Sequence, residues 1–334
     1  MGFRRALHTG TRVVALATMF VVVGTPVGNA TAPPTTTTPD ETAAGDAGSF
    51  AVQPSGPNGP GGRDYFIYTL KDGQTFGDTV GISNLGTKPA TFAVYATDAR
   101  NTTDGSFSLL REEDKPKDVG SWVELGATQY TLEPGKRVDI PFKVTIPANA
   151  TPGDHVGAIV AQEIADPNKP NDGIGLNVRV RIGARIYVRV DGLVNPSLAV
   201  EAFAMAYDTP GSPFTGTDAH ISYTLTNTGD IRLSPTAFLK LGGAFGLGEH
   251  TVADRPIPEL LPGSSIQIAE VVHNVRPYLR LSAKLVVQQP SELVVVRTSI
   301  DEWAIPWLGV AVVVLLVVAL MAQRVWARRR RGSA

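Results

Sequence analysis

The 334-residue chain contains no cysteine. Disulfides, cysteine nucleophiles and thiolate metal sites are therefore excluded. Histidine is scarce as well: His8, His155, His220, His250 and His273 stand far apart, and no two form the local ligand pair of a helical zinc motif. Neither a Gly-rich phosphate loop nor a G-x-S-x-G elbow is present. Aromatic residues make up only 7% of the chain and charged residues 18%. Catalysis would have to rest on a carboxylate pair that spacing alone does not place. The reading is a non-catalytic protein that needs no cofactor and holds no metal site.

What is present is charge sorted by position. The net charge is −1, but Arg4, Arg5 and Arg12 crowd one end and Arg324, Arg328, Arg329, Arg330 and Arg331 the other. Every carboxylate lies between Asp40 and Glu302, so the middle of the chain is acidic and a poor partner for nucleic acid.

Both ends carry membrane signals. Arg4, Arg5 and Arg12 precede an apolar run from Val13 to Val23, and small residues follow at Gly28-Asn29-Ala30. A basic head, a short apolar core and a small-residue exit are the grammar of a secretory signal peptide. The run is too short to cross a hydrocarbon layer about 30 Å thick. Residues 1–30 are read as a removed signal, with an uncleaved anchor as the alternative. Ile305–Ala322 is an almost unbroken apolar stretch, and a membrane helix is expected over 303–323. Trp303, Trp307 and Trp326 are its headgroup anchors, and the Arg328–Arg331 block stays on the cytoplasmic side within a basic tail, 324–334. The expected arrangement is single-pass type I at the cell membrane, with the bulk of the chain extracytoplasmic in the envelope. A sortase-type sorting site is missing from Thr298–Glu302, which favours permanent anchoring.

Residues 31–48 are rich in Pro, Thr and Ala and almost free of large apolar side chains. Such a segment cannot bury enough surface to offset chain entropy and is read as a disordered spacer or glycan-bearing stalk. Beyond it, short apolar runs alternate with Gly- and Pro-bearing turns. The runs Tyr65–Leu70, Thr79–Asn84, Thr91–Thr97, Tyr130–Leu132, Val138–Ile146 and His155–Gln162 predict strands of an antiparallel sandwich. Val138, Ile140, Phe142, Val144 and Ile146 keep strict period two, so one face of that strand is buried. A second block repeats the pattern: His220–Asn227 ends in Asn227-Thr228-Gly229 as Thr79–Asn84 ends in Asn84-Leu85-Gly86. Leu261-Pro262-Gly263 before Ile266–Val272 likewise matches Glu133-Pro134-Gly135 before Val138–Ile146. The fold class is all-β: two tandem Ig-like β-sandwiches, 49–192 and 193–301, followed by one transmembrane helix. The first sandwich carries an insertion around 98–128.

Between the two blocks, Val178–Val190 is apolar at every even position, while Arg179, Arg181, Arg185 and Arg189 occupy odd ones. This is a long strand with one buried face and an Arg row on the other. The row is suited to an anionic wall polymer or a carboxylate-bearing partner. Pairing with neighbouring Asp and Glu, or a guard against edge-to-edge association, is the alternative.

An ordered series of turns carries a resemblance. It runs through Phe50-Ala-Val-Gln-Pro54, Tyr65–Tyr68, Val80–Asn84, Thr97-Asp98-Ala99, Asp104-Gly105, Trp122, Leu132–Gly135, Ile146-Pro147, Pro152–Gly157 and Gly183–Tyr187. Residues 49–192 thereby resemble the peptidoglycan-binding domain of the WxL-interacting protein family, long carried as a domain of unknown function in Gram-positive envelopes. The resemblance implies an envelope protein that binds peptidoglycan or another wall glycan through its first sandwich. It also implies a second sandwich open to other surface proteins, as an adhesin or an assembly scaffold; this is the alternative function. Candidate glycan contacts are Trp122 as a stacking platform, Asp98, Asn101 and Asp104 as hydroxyl partners, and the four Arg of the row. Trp122 also suits a core position between two sheets, and the 98–105 segment also suits an ordinary hairpin turn.

Overall fold

The computed structural model describes residues 49–56, 59–164, 179–290 and 294–331. The expected signal peptide and the spacer lie outside the described residues. The first sandwich is built from β1 (Phe50–Gly56), β2 (Gly59–Pro60), β3 (Phe66–Leu70), β4 (Thr75–Asn84), β5 (Ala90–Asn101), β6 (Phe107–Leu109), β7 (Val123–Leu125), β8 (Gln129–Leu132), β9 (Arg137–Thr145), β10 (Gly153–Glu163) and β11 (Arg181–Val190). A single helical turn, α1 (Val119–Trp122), precedes β7. One sheet runs β2-β1-β4-β9-β7; the other runs β3-β11-β10-β5-β6, with β8 also paired to β5. All pairings are antiparallel except β3 with β11.

The period-two residues of β9 do what their spacing predicts. Ile140, Phe142 and Val144 point inward and are buried, as is Ile146 just beyond the strand. They pack beside Val80 and Ile82 of the neighbouring strand β4 and meet Phe66, Ile159 and Ile186 of the facing sheet, with Phe66 edge-on to Phe142 at 5.0 Å between centroids. Each such side chain contributes about 1.5–3 kcal/mol by leaving water. β10 does not alternate, because both of its faces are covered: Ile159 and Ala161 face the core, while the 98–128 insertion folds over the other side. A Cβ built on Gly183 would lie 3.2 Å from both Ala158 and Leu109, so β6 packs directly onto the sheet there.

The second sandwich comprises β12 (Leu198–Tyr207), β13 (Thr217–Asn227), β14 (Thr236–Gly243), β15 (His250–Thr251), β16 (Arg255–Pro256), β17 (Ser265–Val275), β18 (Leu279–Gln288) and β19 (Val295–Ala304). Its sheets are β12-β13-β17 and β15-β14-β18-β19, with β16 also paired to β14. They enclose a core of their own, centred on Ile221, Leu225, Leu241, Leu260 and Leu285. The chain is thus two tandem Ig-like β-sandwiches followed by an apolar helix.

The repeated Asn-turn has a structural cause. Asn84 is buried, donates from Nδ2 to the carbonyls of Lys88 and Leu132, and accepts from the Gly86 N–H. Asn227 is buried in the same way, donating to Ile231 and Leu260 and accepting from Gly229. The Asn carbonyls accept from Gly135 N–H and Gly263 N–H respectively. Each Asn side chain therefore fastens a strand end to the turn that opens the neighbouring strand, using three bonds that water cannot replace.

The last helix, α2 (Trp307–Arg331), starts later than expected. Trp303 belongs to β19, where it pairs with Arg280. Pro306 lies between strand and helix and supplies the first helical acceptor, to Val310 N–H. Among the described residues α2 is the one helix long and apolar enough to cross a membrane, over Trp307–Trp326, and none of that span is buried. Twenty residues at about 1.5 Å each match the thickness of a hydrocarbon layer. The helix continues through Arg328; the side chains of Arg329, Arg330 and Arg331 lie outside the description.

Candidate functional site

A polar cluster lies where the two sandwiches meet, and it is organised by Pro152 and the opening residues of β10, Gly153-Asp154-His155. Gly153 has φ +132°, and a Cβ there would sit 2.3 Å from the Asp230 carbonyl. Only glycine allows this approach, which lets Asp154 N–H donate to Asp230 O at 2.7 Å. The Asp154 side chain, 4% exposed, is gripped by Arg189 Nε at 2.7 Å and Arg189 Nη2 at 2.5 Å, and it also accepts from the Arg232 backbone N–H at 2.8 Å. Arg232 Nε lies 3.4 Å away and makes no hydrogen bond, so it contributes charge alone. Burial works against ionisation of Asp154, but the Arg189 bonds, the Arg232 N–H and both guanidinium charges outweigh it and lower its pKa.

Around this carboxylate, the Arg232 guanidinium stacks 4.1 Å above the Tyr187 ring and pairs with Glu259 at 3.0 Å, while Tyr187 Oη donates to Glu259. Val156, Tyr187 and Leu261 form a small apolar cluster across the joint. On the same face Asn101 holds the Leu261-Pro262-Gly263 turn. Its Oδ1 accepts from Leu261 N–H at 2.8 Å, and its Nδ2 donates to the carbonyls of Glu259 and Gly105.

His155 flanks the cluster. Nδ1 lies 2.7 Å from an Asp118 carboxylate oxygen and Nε2 lies 2.8 Å from the Thr151 carbonyl, with the ring against Trp122. Both partners only accept, so the doubly protonated imidazolium satisfies both contacts. Burial disfavours that charge, but the Asp118 bond and charge and the Thr151 carbonyl prevail, and the pKa is raised. Stabilisation from His155 is complete below the unfolded value of about 6.5 and is lost as pH rises through the folded value. Accordingly the thermal midpoint should fall across that window on the alkaline side of 6.5, and His155→Gln should flatten the slope. An equal slope in the variant would remove His155 from the account.

The residues expected to meet a glycan are placed as follows. Trp122 is 7% exposed and sits in the first core. The stacking platform expected there is not available, because Trp122 closes the turn α1 and so does not alternate with Val123 and Leu125 of β7. The Asp98 carboxylate accepts from the backbone N–H groups of Lys117, Asp118 and Gly120, which fixes the start of that turn. Asn101 is committed to the joint. Asp104 closes its own hairpin, accepting from Thr102 Oγ1, Ser106 N–H and Ser106 Oγ. Arg179 pairs with Glu112; Arg181 donates to Leu110 O and Tyr95 Oη; and Arg185 stacks 4.1 Å over Phe107. Arg189 is committed to Asp154 but also borders open space. It lines a cavity of about 190 Å³ with Ile67, Thr69, Tyr187 and Arg232, and the exposed Tyr65 stands edge-on to Tyr187 at 5.4 Å. A second cavity, about 290 Å³, opens on the other side of Asp154 between His155, Asp118, Asp230 and Pro262. Among the described residues no three metal-ligating side chains converge.

Sequence reasoning found the turn series but missed Asp154, Tyr187, Arg232 and Glu259 as a unit. The available signal was two glycines, Gly153 and Gly157, within the first half of one strand, β10. A Cβ on Gly157 would come within 2.6 Å of the Thr97 carbonyl, so both glycines mark close approaches.

No protein-family model matches the chain, and no curated protein sequence does. Solved structures with a similar backbone include a chaperone–tip adhesin complex of CFA/I fimbriae, at 12% identity and TM-score 0.37, covering 77% of this chain and 99% of that one. A class 5 fimbrial chaperone is similar at 11% identity and TM-score 0.36, covering 77% and 99%. The CsuC–CsuE chaperone–tip complex of Acinetobacter baumannii follows at 10% identity and TM-score 0.35, covering 75% and 97%. At such identities the likeness concerns the sandwich fold alone.

Proposed function

We propose that this chain is a non-catalytic envelope protein, anchored by a single span, whose first sandwich binds peptidoglycan. The observation that carries the reading is the order of parts: two β-sandwiches joined by a buried ionic cluster, then, directly after the last strand, a helix of membrane length with a basic end. The turn series of residues 49–192 supports peptidoglycan as the ligand class. The ligand's place is the cavity beside Arg189, where the part-exposed Arg189 guanidinium offers a cation to a carboxylate-bearing stem peptide and the exposed Tyr65, edge-on to the buried Tyr187, offers an aromatic face nearby. The acidic body makes bulk attraction to an anionic polymer a poor substitute for such a local site.

The test is co-sedimentation of the full chain, held in nanodiscs, with insoluble peptidoglycan. Retention above that of empty nanodiscs and of an unrelated anchored sandwich is expected, and it should survive about 0.5 M salt in part, because stacking is not screened. Retention equal to the controls would sink the reading. Cross-linking on cells to a surface protein through residues 193–301, without wall retention, would favour the scaffold alternative.

A further inference from the structure

The second sandwich has two ends, and they differ in chemistry. One end, with Asn227, Asp230 and Leu261, is locked against the first sandwich. The register fixes what lies at the other. Gly243 of β14 faces Leu281 of β18, and Leu279 faces Ala304 of β19, two residues before Pro306 and the helix. Thr217 at the start of β13 faces Val275 at the end of β17. The loops 208–216, 244–249 and 276–278 therefore all gather at the end from which α2 leaves. The contact is direct at one point: a Cβ on Gly309, in the first turn of α2, would lie 3.2 Å from the Pro213 ring.

This end carries large apolar side chains turned outward. Phe214 is 83% exposed and Phe245 fully exposed; Leu247 and Leu279 are more than half exposed; Trp303 and Trp307 are 70% exposed. Elsewhere on the body, exposed large apolar residues stand singly, as Leu85 and Ile164 do, or in pairs, as Tyr65 with Ile67 and Leu193 with Val194. Two of the outward residues hold left-handed backbone, Phe245 at φ 59° and Leu279 at φ 67°. That conformation is unfavourable for a bulky residue and persists only where its surroundings impose it. The 244–248 loop wraps the Tyr278 side chain so closely that a Cβ on Gly243 would fall 2.2 Å from its Cβ and one on Gly248 2.2 Å from its ring. Phe245, at the tip of that loop, points fully into solvent.

We infer that this end of the second sandwich docks on the lipid bilayer, with Phe214, Phe245 and Leu247 entering the boundary between headgroups and acyl chains. The inference rests on the single-span reading of α2. Trp303 and Trp307 mark the headgroup layer at the start of the helix, where indoles are favoured. The strand end that carries the Phe245 loop is only two strands away from β19, about 10 Å. An apolar patch continuous with a span meets lipid before it meets anything else. Such seating fixes the tilt of both sandwiches relative to the membrane, which a lone helix and a short connection do not.

Absence of cysteine makes the test clean. Single-cysteine chains Phe214→Cys, Phe245→Cys, Leu85→Cys and Val314→Cys, labelled with an environment-sensitive fluorophore, are reconstituted in phosphatidylcholine–phosphatidylglycerol vesicles. Headgroup-depth nitroxide lipid should quench the labels at 214 and 245 several-fold more than the label at 85. A deep nitroxide should quench the label at 314. Quenching at 314, with 214 and 245 as free as 85, overturns the docking and leaves the span standing. Escape of 314 from both quenchers overturns the span, and the docking with it. Unchanged circular dichroism of each labelled chain confirms that the fold is intact.

Discussion

Replacing Asn227 with alanine is expected to cost the second sandwich about 3 kcal/mol or more, since each buried polar group left unpaired costs about 1–3 kcal/mol. The side chain is fully buried and serves two carbonyls, Ile231 and Leu260, and one N–H, Gly229. Asn84→Ala should cost the first sandwich a similar amount, because the same three bonds are made there. Asn227→Asp should be at least as damaging as alanine. An ionised oxygen would face two carbonyl oxygens, and the low local dielectric gives no relief. Urea unfolding of the purified chain, followed separately in each sandwich, reads both effects. A midpoint unchanged by Asn227→Ala, or Asp tolerated better than Ala, would contradict the fastening role.

Asp154→Ala is expected to release the two sandwiches from one another. It removes the one described carboxylate that both Arg189 and Arg232 address at short range; Arg189 loses its ion-pair partner, and Arg232 loses its backbone acceptor across the joint while keeping Glu259. Breaking a buried pair costs about 3–5 kcal/mol, and the value here belongs at the low end because Arg189 is partly exposed. The lowered pKa of Asp154 gives the same interaction a pH signature. Its stabilisation is present above the unfolded value of about 3.9 and is lost as pH falls through the folded value. Calorimetry should resolve two independent transitions in Asp154→Ala where the parent melts in a more concerted manner, and Asp154→Glu should restore part of the coupling. Identical thermograms for parent and alanine variant would show that the cluster does not join the domains.

Which parts of this were legible in the sequence follows from the range of the forces involved. The strand Val138–Ile146 was readable because burial on one face imprints period two on neighbouring residues. The Asn-turns were readable because a buried amide, a Gly two positions later and a second turn Gly recur in both blocks. The interval from the Asn to that second Gly is 51 residues for Asn84 to Gly135 and 36 for Asn227 to Gly263. The first block is longer because it carries an insertion that covers β10, which is also why β10 shows no alternation to read. The four later strands Leu198–Tyr207, Thr236–Gly243, Leu279–Gln288 and Val295–Ala304 gave weaker signals. β12 is broken by a bulge at Ala202, and β19 is largely exposed.

Site residues were harder to place than strands, because their partners are distant. Asp98 reads as a sugar contact only while the three N–H groups of residues 117–120 are out of view. Trp122 reads as a platform only if it continues the strand that follows it. The Arg row was real as a pattern, yet each guanidinium is held by a different distant partner: Glu112, Leu110, Phe107 and Asp154. The 303–323 window for the span began four residues early, because composition does not separate the last strand of a sandwich from the apolar helix behind it. Pro306 marks that boundary, and the register of β19 with β18 settles it.

Everything proposed for this chain depends on its lying across one membrane with the sandwiches outside, and cysteine accessibility on intact cells tests that most directly. Leu85→Cys should react with a membrane-impermeant maleimide before lysis. Ser333→Cys, beyond the Arg block, should react only after lysis. Labelling of Ser333→Cys on intact cells, or a Leu85→Cys that stays unreactive until lysis, would contradict the account at its base.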